Sequence, residues 1–245
     1  MIPVNVVADA VLLDIEGTIS PIAFVRDVLV PYARERLSRF VTANARRPEI
    51  HALLDDARAL AGDDEDPIVA LHRWLDADEK VAPLKKLQGL IWESGFRSGA
   101  LASPLFPDAL RAIERWRGAG LPHHIYSSGS VKAQHLFFEH TEAGNLRSYF
   151  AAHFDTDIGP KTSKASYLTI AETLGVLPTS ILFLSDSAKE LAAATAAGLQ
   201  CVQVVKDATE ADPSFLHITS FDTLNVSGRR REFKTAEAKA ARAAK

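Results

Sequence analysis

The chain has 245 residues, which suits one large domain or a core with a smaller second domain. Apolar residues make up 47% and charged residues 24%, so the chain can bury a core, and a net charge of −3 gives no reason to expect nucleic-acid or membrane binding. Cys201 is the single cysteine, which excludes an internal disulfide. Because the sequence shows neither a signal-peptide pattern nor an apolar run near the ~20 residues of a membrane span, we expect a cytoplasmic protein.

The first predicted strand is the apolar run from Ala8 to Leu13, which stops at Asp14. Over the next 80 or so positions, apolar residues recur at helical spacing in four segments with no convincing strand between them. Residues 21–102 are therefore predicted to form an all-helical insertion.

Strand and helix patterns alternate after Pro104. This alternation predicts an α/β fold with a doubly wound, Rossmann-like parallel sheet, formed by residues 1–20 and 103–227. Residues 228–245 are rich in Lys, Arg and Ala, and are predicted to be a basic tail, either helical or disordered. The predicted segments are helix 108–117, strand 123–126, helix 131–142, helix 163–174, strand 181–185, helix 188–197 and strand 201–205.

Short polar stretches stand where apolar runs break off, and they hold most of the candidate chemistry. Residues far apart in sequence meet when their strands lie side by side, because ligands gather beyond the carboxyl ends of parallel strands. The stretches are residues 14–18 (Asp-Ile-Glu-Gly-Thr), residues 127–130 (Ser-Ser-Gly-Ser), Lys161, and residues 186–190 (Asp-Ser-Ala-Lys-Glu).

Asp14 and Glu16 form an acidic pair at the end of the first predicted strand. A carboxylate can attack phosphorus to give an aspartyl-phosphate, and a nearby acid can protonate the leaving oxygen and then activate water. Gly17 allows a tight turn that brings backbone amides near phosphoryl oxygens. The alternative is a strand end followed by ordinary turn acids.

Ser127, Ser128 and Ser130 follow a predicted strand and precede a predicted helix. Hydroxyls and free amides at a helix start can bind an anion, although Ser130 could equally be a plain N-cap. Lys161 follows Gly-Pro in a loop and could neutralise both an aspartate and a phosphate, or could be a surface lysine.

Asp186 ends the most apolar strand in the chain, and Glu190 follows one helical turn later. Hard carboxylate oxygens suit Mg²⁺, which usually also keeps waters and a substrate phosphate oxygen. Asp186 could instead cap the helix that follows, and Glu190 could be an ordinary first-turn acid.

Taken together, the polar stretches resemble the four motifs of the haloacid dehalogenase superfamily of Mg²⁺-dependent phosphotransferases. The usual first motif is Asp-x-Asp, whereas this chain has Glu16 at the second acid, as in the acireductone-forming enolase-phosphatases of methionine salvage. The likeness runs from Val11 to about Leu224. Its further marks are Leu-Gln-Gly-Leu-Ile-Trp at 87–92, Ile-Tyr before Ser127, His-Phe-Asp-Thr at 153–156, Ser-Tyr at 166–167, and Leu-Phe-Leu-Ser before Asp186.

That resemblance implies a haloacid dehalogenase-like core with the helical insertion as a cap over the site. It implies Asp14 as nucleophile and Mg²⁺ ligand, Glu16 as acid/base with its backbone carbonyl on the metal, and Asp186 as a second ligand, with one Mg²⁺ per subunit. It also implies three phosphate-binding residues, which are Ser127, Ser128 and Lys161.

The implied substrate is a small phosphorylated diketone, 2,3-diketo-5-methylthiopentyl-1-phosphate, which a monomer would enolise and then dephosphorylate. Alternatives are a related phosphatase with another substrate, a 2-haloacid dehalogenase, and a non-catalytic phosphate-binding relative. Glu16 and Asp186 count against the dehalogenase, because that reaction needs neither a second acid nor a metal. The enolisation base is not assigned: Glu93 and Lys86 in the insertion are weak candidates.

Overall fold

The computed structural model describes residues 3–62, 64–206 and 209–228, and the predicted basic tail lies outside these ranges from residue 229 onward. The strands are β1 (Val4–Val7), β2 (Ala10–Leu13), β3 (His123–Tyr126), β4 (His153–Phe154), β5 (Ile181–Ser185), β6 (Gln200–Val204), β7 (His217–Ile218) and β8 (Leu224–Ser227). The helices are α1 (Ile22–Phe24), α2 (Val30–Ala43), α3 (Pro48–Ala61), α4 (Pro67–Asp76), α5 (Ala82–Arg97), α6 (Pro107–Gly118), α7 (Val131–Glu139), α8 (Lys164–Leu174) and α9 (Ala188–Ala196).

Within the described residues, six strands form one parallel sheet in the order β4-β3-β2-β5-β6-β7. All four residues of β2 are buried, as expected of a central strand that is covered on both faces. β2 begins at Ala10, two residues later than the predicted run, because Ala8 and Asp9 connect it to β1, which pairs with β8 in a separate two-stranded sheet. The doubly wound α/β prediction is confirmed.

Helices cover both faces of this sheet. Successive residues of β2 point to opposite faces, so they pack against different helices. Val11 and Leu13 pack in a core cluster with α6 and Phe138 of α7. Leu12 packs in a second cluster with residues of α8 and α9. The predicted helix 131–142 ends earlier than expected, at Glu139.

The chain between β2 and α6 is helical, as the periodicity predicts. A π-helical segment, Val25–Leu29, joins α1 to α2. Helices α2 to α5 share a buried core of their own, which includes Leu37, Ile50 and Trp74. Proline stands in the first turn of α3, α4 and α5, where its missing N–H leaves no hydrogen bond unmade. Across the described ranges, every helix falls short of a bilayer crossing in length or in apolar character.

Candidate active site

The predicted polar stretches meet at one edge of the main sheet because three of them follow adjacent strands. Asp14 follows β2, Ser127 follows β3 and Asp186 follows β5, and β2 lies between the other two. Since these strands are parallel, all three residues stand beyond the same edge of the sheet. Lys161 reaches the same place from the loop before α8, and its ammonium contacts Asp14.

Asp14 is buried, and its carboxylate is held on both oxygens. Lys161 Nζ donates to Oδ1 at 2.5 Å, and the Ile15 amide donates to the same oxygen at 2.8 Å. The hydroxyls of Thr18 and Ser185 lie 3.4 and 3.2 Å from Oδ2. These contacts fix the orientation of the Asp14 carboxylate.

Lys161 bridges two carboxylates. Its Nζ lies 2.7 Å from Oε2 of Glu190 as well as 2.5 Å from Asp14 Oδ1. Burial by itself would lower the pKa of Lys161, but the charges of Asp14 and Glu190 outweigh it and raise that pKa above its usual value. The Tyr167 hydroxyl donates to the Lys161 carbonyl at 2.7 Å and so fixes the backbone that carries the ammonium.

Glu190 retains a raised pKa, about 7, in spite of its ion pair. Burial is the main cause, and the charge of Asp14 adds to it. Buried Asp14 and partly buried Glu190 therefore share the Lys161 ammonium, and the Ser185 hydroxyl lies within hydrogen-bonding distance of both carboxylates. The inner part of the site carries an excess of negative charge.

Glu16 lies beside the polar stretch after β3. The Ser127 hydroxyl donates to Glu16 Oε2 at 3.2 Å, and burial followed by the charge of Asp14 raises the pKa of Glu16. Ser127 is fully buried and also accepts from the Gly129 amide, whereas Ser128 is exposed. The two serines thus offer one hydroxyl inside the site and one facing outward.

The Asp186 carboxylate packs against the turn that follows Asp14. A Cβ built on Gly17, which has φ +77°, would lie 2.5 Å from Asp186 Oδ2, so the carboxylate fills the space that any other side chain would take. The Asp186 amide donates to the Thr18 hydroxyl at 3.0 Å. Burial and the charge of Asp14 raise the pKa of Asp186 to about 6.

The start of α7 is held by several polar contacts, some of which the sequence does not predict. Ser130 caps the helix through the Ala133 amide, as predicted. Asp155 accepts from the Val131 amide at 2.8 Å, which gives a structural role to the His-Phe-Asp-Thr stretch. Buried Gln134 donates to the Gly129 and Phe154 carbonyls, both at 2.8 Å, and so ties the 127–130 loop to β4.

The residues present fit a magnesium ion. Asp14 and Asp186 are close enough for one charge to raise the pKa of the other, and the Asp186 carboxylate lies against the 14–18 turn. Among the described residues, no group of three or more Asp, Glu, His or Cys side chains is arranged to bind a metal. Two carboxylates, with backbone oxygens, waters and a phosphate oxygen, match the way in which proteins usually bind Mg²⁺.

Sequence reasoning misses Ser185 and leaves the role of Glu190 open. Ser185 is the one polar residue of β5, and a hydroxyl in an otherwise apolar strand is the signal that marks it. The interpretation of Asp186 as an N-cap is wrong, because Ser187 holds that position and no side chain caps α9. Of the two weak base candidates, Glu93 has a pKa lowered by its hydrogen bond from Lys132, which makes it a weaker base, and Lys86 is exposed.

The chain is similar to proteins of a known family in both sequence and fold. A family model described as haloacid dehalogenase-like hydrolase matches residues 8–198. "Enolase-phosphatase E1" of a Bradyrhizobium species is 53% identical over 89% of this chain and 95% of its own length. The protein of the same name from Aquifex aeolicus is 45% identical over 89% of this chain and 99% of its own. The crystal structure of UTR4 protein from Saccharomyces cerevisiae superposes with a TM-score of 0.77 at 32% identity, covering 89% of this chain and 100% of that one.

Proposed function

This chain belongs to the haloacid dehalogenase-like hydrolases, and on that premise we propose that it is an acireductone-forming enolase-phosphatase of methionine salvage. It enolises 2,3-diketo-5-methylthiopentyl-1-phosphate and then hydrolyses the phosphate ester. The products are the acireductone 1,2-dihydroxy-3-keto-5-methylthiopentene and inorganic phosphate. The observation that carries the proposal is the buried Asp14 carboxylate, held by Lys161 at 2.5 Å between the loops that follow β3 and β5.

Asp14 is the nucleophile of the phosphatase step. One of its carboxylate oxygens bonds to phosphorus as the bond from phosphorus to the ester oxygen breaks, and Glu16 gives its proton to the leaving oxygen. A water then attacks phosphorus, Glu16 takes a proton from that water, and the Asp14–phosphorus bond breaks. Phosphate leaves, and both carboxyl groups return to their starting states.

Ser127, Ser128 and Lys161 bind the phosphoryl group. The Lys161 ammonium, already beside Asp14, offsets the repulsion between the attacking carboxylate and the dianionic substrate. These donors stand in place before the reaction, so little reorganisation accompanies charge transfer to the leaving oxygen.

Mg²⁺ is assigned to Asp14, Asp186 and the backbone carbonyl of Glu16. When bound, it supplies positive charge that stabilises the enolate and the transferring phosphoryl group. Its support is the donor set and the close approach of Asp14 and Asp186 described above.

Residues 21–102 are assigned as the cap over this site, and residues 1–20 with 103–227 as the catalytic core. The support is the separate core of α2 to α5 and its insertion between β2 and α6. The enzyme is proposed to act as a monomer in the cytoplasm, which size-exclusion chromatography with light scattering and fractionation of the source cells would test.

The test is incubation with the diketo-phosphate and Mg²⁺, with enol formation followed by its ultraviolet absorbance and phosphate release followed separately. The proposal expects an enol phase before phosphate release. Phosphate release with no enol would make the protein a simple phosphatase with another substrate. Halide release from a 2-haloacid without Mg²⁺ would overturn the phosphatase assignment altogether.

A further inference from the structure

Helix α5 packs against helix α7 through a small apolar cluster that is separate from the two core clusters of the main sheet and from the core of α2 to α5. We call it the junction cluster; its buried members are Phe24, Leu29, Phe96, Leu101 and Leu136. Phe96 lies on α5 and Leu136 on α7, so the cluster joins the proposed cap to the proposed core. An edge-to-face ring contact between Phe24 and Phe137, with centroids 6.2 Å apart, extends it.

Trp92, part of a stretch that the sequence singles out, fastens α5 on one side of this cluster. Its indole Nε1 donates to the Leu29 carbonyl at 2.7 Å, at the end of the π-helical segment. Its ring is half-buried and packs against both the junction cluster and the core of the insertion. The Trp92 side chain therefore holds α5 against the π-helical segment. The neighbouring Glu93 makes a different contact.

Glu93 on α5 forms an ion pair with Lys132 on α7. Its Oε2 lies 2.6 Å from Lys132 Nζ, and its Oε1 lies 3.0 Å from Arg97 on the same helix. The Glu93 side chain is 19% exposed and that of Lys132 is 68% exposed. One carboxylate thus makes one contact within α5 and one contact between helices.

Lys132 is the second residue of α7, and α7 begins directly after the 127–130 loop. The first turn of α7 is tied to that loop and to β4 through Gln134 and through the contact of Asp155 with Val131. A contact to Lys132 therefore also bears on the position of the 127–130 loop, which carries Ser127 and Ser128.

We propose that Glu93 is a positioning residue: through Lys132 it holds α5 against the start of α7, and so sets the insertion over the phosphate-binding loop when substrate binds. This inference rests on the proposed function, because it takes residues 21–102 as a cap. Since Lys132 is largely exposed, the pair contributes modestly, and we expect effects of about threefold to fivefold that salt weakens.

The experiment is a double-mutant cycle with Glu93→Gln, Lys132→Gln and the double variant, measured with the diketo-phosphate at low salt. Each single variant is expected to raise KM about threefold to fivefold with kcat nearly unchanged, and the double variant to equal either single one. At 0.5 M salt the differences should shrink, because the screening length falls to a few ångströms. Arg97→Gln is the matched control: it removes an ion pair from the same carboxylate but only within α5, and is expected to leave KM unchanged.

Hydrogen exchange in the α5 and α7 peptides of the substrate-free enzyme is the second readout, and it needs no knowledge of the substrate. Faster exchange is expected in both single variants and not in Arg97→Gln. If the wild type does not turn over the diketo-phosphate, the proposed function fails while hydrogen exchange still decides whether the pair holds the two helices. Unchanged KM in Glu93→Gln, or additive effects in the double variant, would overturn the inference, the latter by showing that the two residues act independently.

Discussion

The ammonium of Lys161 lies 2.7 Å from the carboxylate of Glu190 while it also contacts Asp14 at 2.5 Å. Glu190 therefore restrains the ammonium that, in the proposed mechanism, neutralises the nucleophile Asp14. Glu190→Gln keeps the shape of the side chain but removes its negative charge, and so weakens its contact with Lys161. We expect a folded protein whose kcat falls by about tenfold to a hundredfold, because the ammonium that the proposed mechanism uses is less firmly placed.

The measurement is kcat together with the thermal unfolding midpoint. Glu172→Gln, on the exposed face of α8, is the matched control and should behave as wild type. If Glu190→Gln and Glu190→Ala both keep wild-type kcat, Glu190 has no positioning role.

Asp14→Asn tests the proposed nucleophile. Asn is nearly isosteric with Asp but cannot form the acyl-phosphate, so turnover should fall by more than about 10³-fold, as it does when other enzymes lose their nucleophile. Phosphate binding should persist, because Ser127, Ser128 and Lys161 remain. Calorimetric titration with inorganic phosphate checks binding, and exposed Asp157→Asn is the control. Turnover within tenfold of wild type would remove Asp14 from this role.

Removal of the metal should stop the phosphatase step. EDTA is expected to abolish phosphate release, and excess Mg²⁺ to restore it. Asp186→Asn should raise the half-saturating Mg²⁺ concentration by at least about tenfold, a loss typical even of groups that only support a ligand. Direct Mg²⁺ titration by calorimetry separates weaker binding from slower chemistry. An unchanged Mg²⁺ affinity would show that Asp186 is not a ligand.

Gly17→Ala should disturb the site through a steric clash. The added Cβ would lie 2.5 Å from Asp186 Oδ2, so the carboxylate must move. Gly120→Ala is the matched control, because Gly120 has a similar φ of +69° but open space around its Cβ position. Both variants should lose about 1 kcal/mol of stability from backbone strain, while only Gly17→Ala should also lose Mg²⁺ affinity. Equal losses of activity in the two variants would argue against this account.

His124 should make the fold sensitive to acid. Burial, followed by the charge of His123, lowers its pKa to about 4, whereas the unfolded chain has a histidine pKa near 6.5. The unfolded state therefore binds a proton first as pH falls, and stability should decline between pH ~6.5 and ~4. His124→Gln removes this titration, so its free energy of unfolding relative to wild type should improve by about 2 kcal/mol from pH 7 to pH 4.5. Urea unfolding at several pH values checks this; a constant difference would contradict it.

The central strands could be predicted because β2 and β5 are short, almost wholly apolar runs that stop at an aspartate, and β3 is a short stretch that stops at consecutive serines. β3 has the predicted bounds, and β5 likewise. β4 could not be predicted, because a two-residue strand, His153–Phe154, has no periodicity and forms only where the edge of β3 is open.

The meeting of the polar residues that follow β2, β3 and β5 could also be predicted from the sequence, because parallel strands place their carboxyl ends together. The contact of Glu190 with Lys161 could not be predicted, since an acid in the first turn of a helix has the same sequence pattern whether it faces solvent or a buried lysine. The pairing of Glu93 with Lys132 depends on how α5 crosses α7, which no local pattern specifies.

The contacts around Asp14 also bear on how the protein folds. Lys161 and Ser185 lie 147 and 171 residues further along the chain than Asp14, so the site forms only after the ends of a long loop have closed. Helices α2 to α5, by contrast, pack among near neighbours in sequence. Sequence-local contacts form faster than distant ones. During refolding, helical circular dichroism should therefore recover ahead of catalytic activity, which makes enzyme activity a reporter of the last stage of folding.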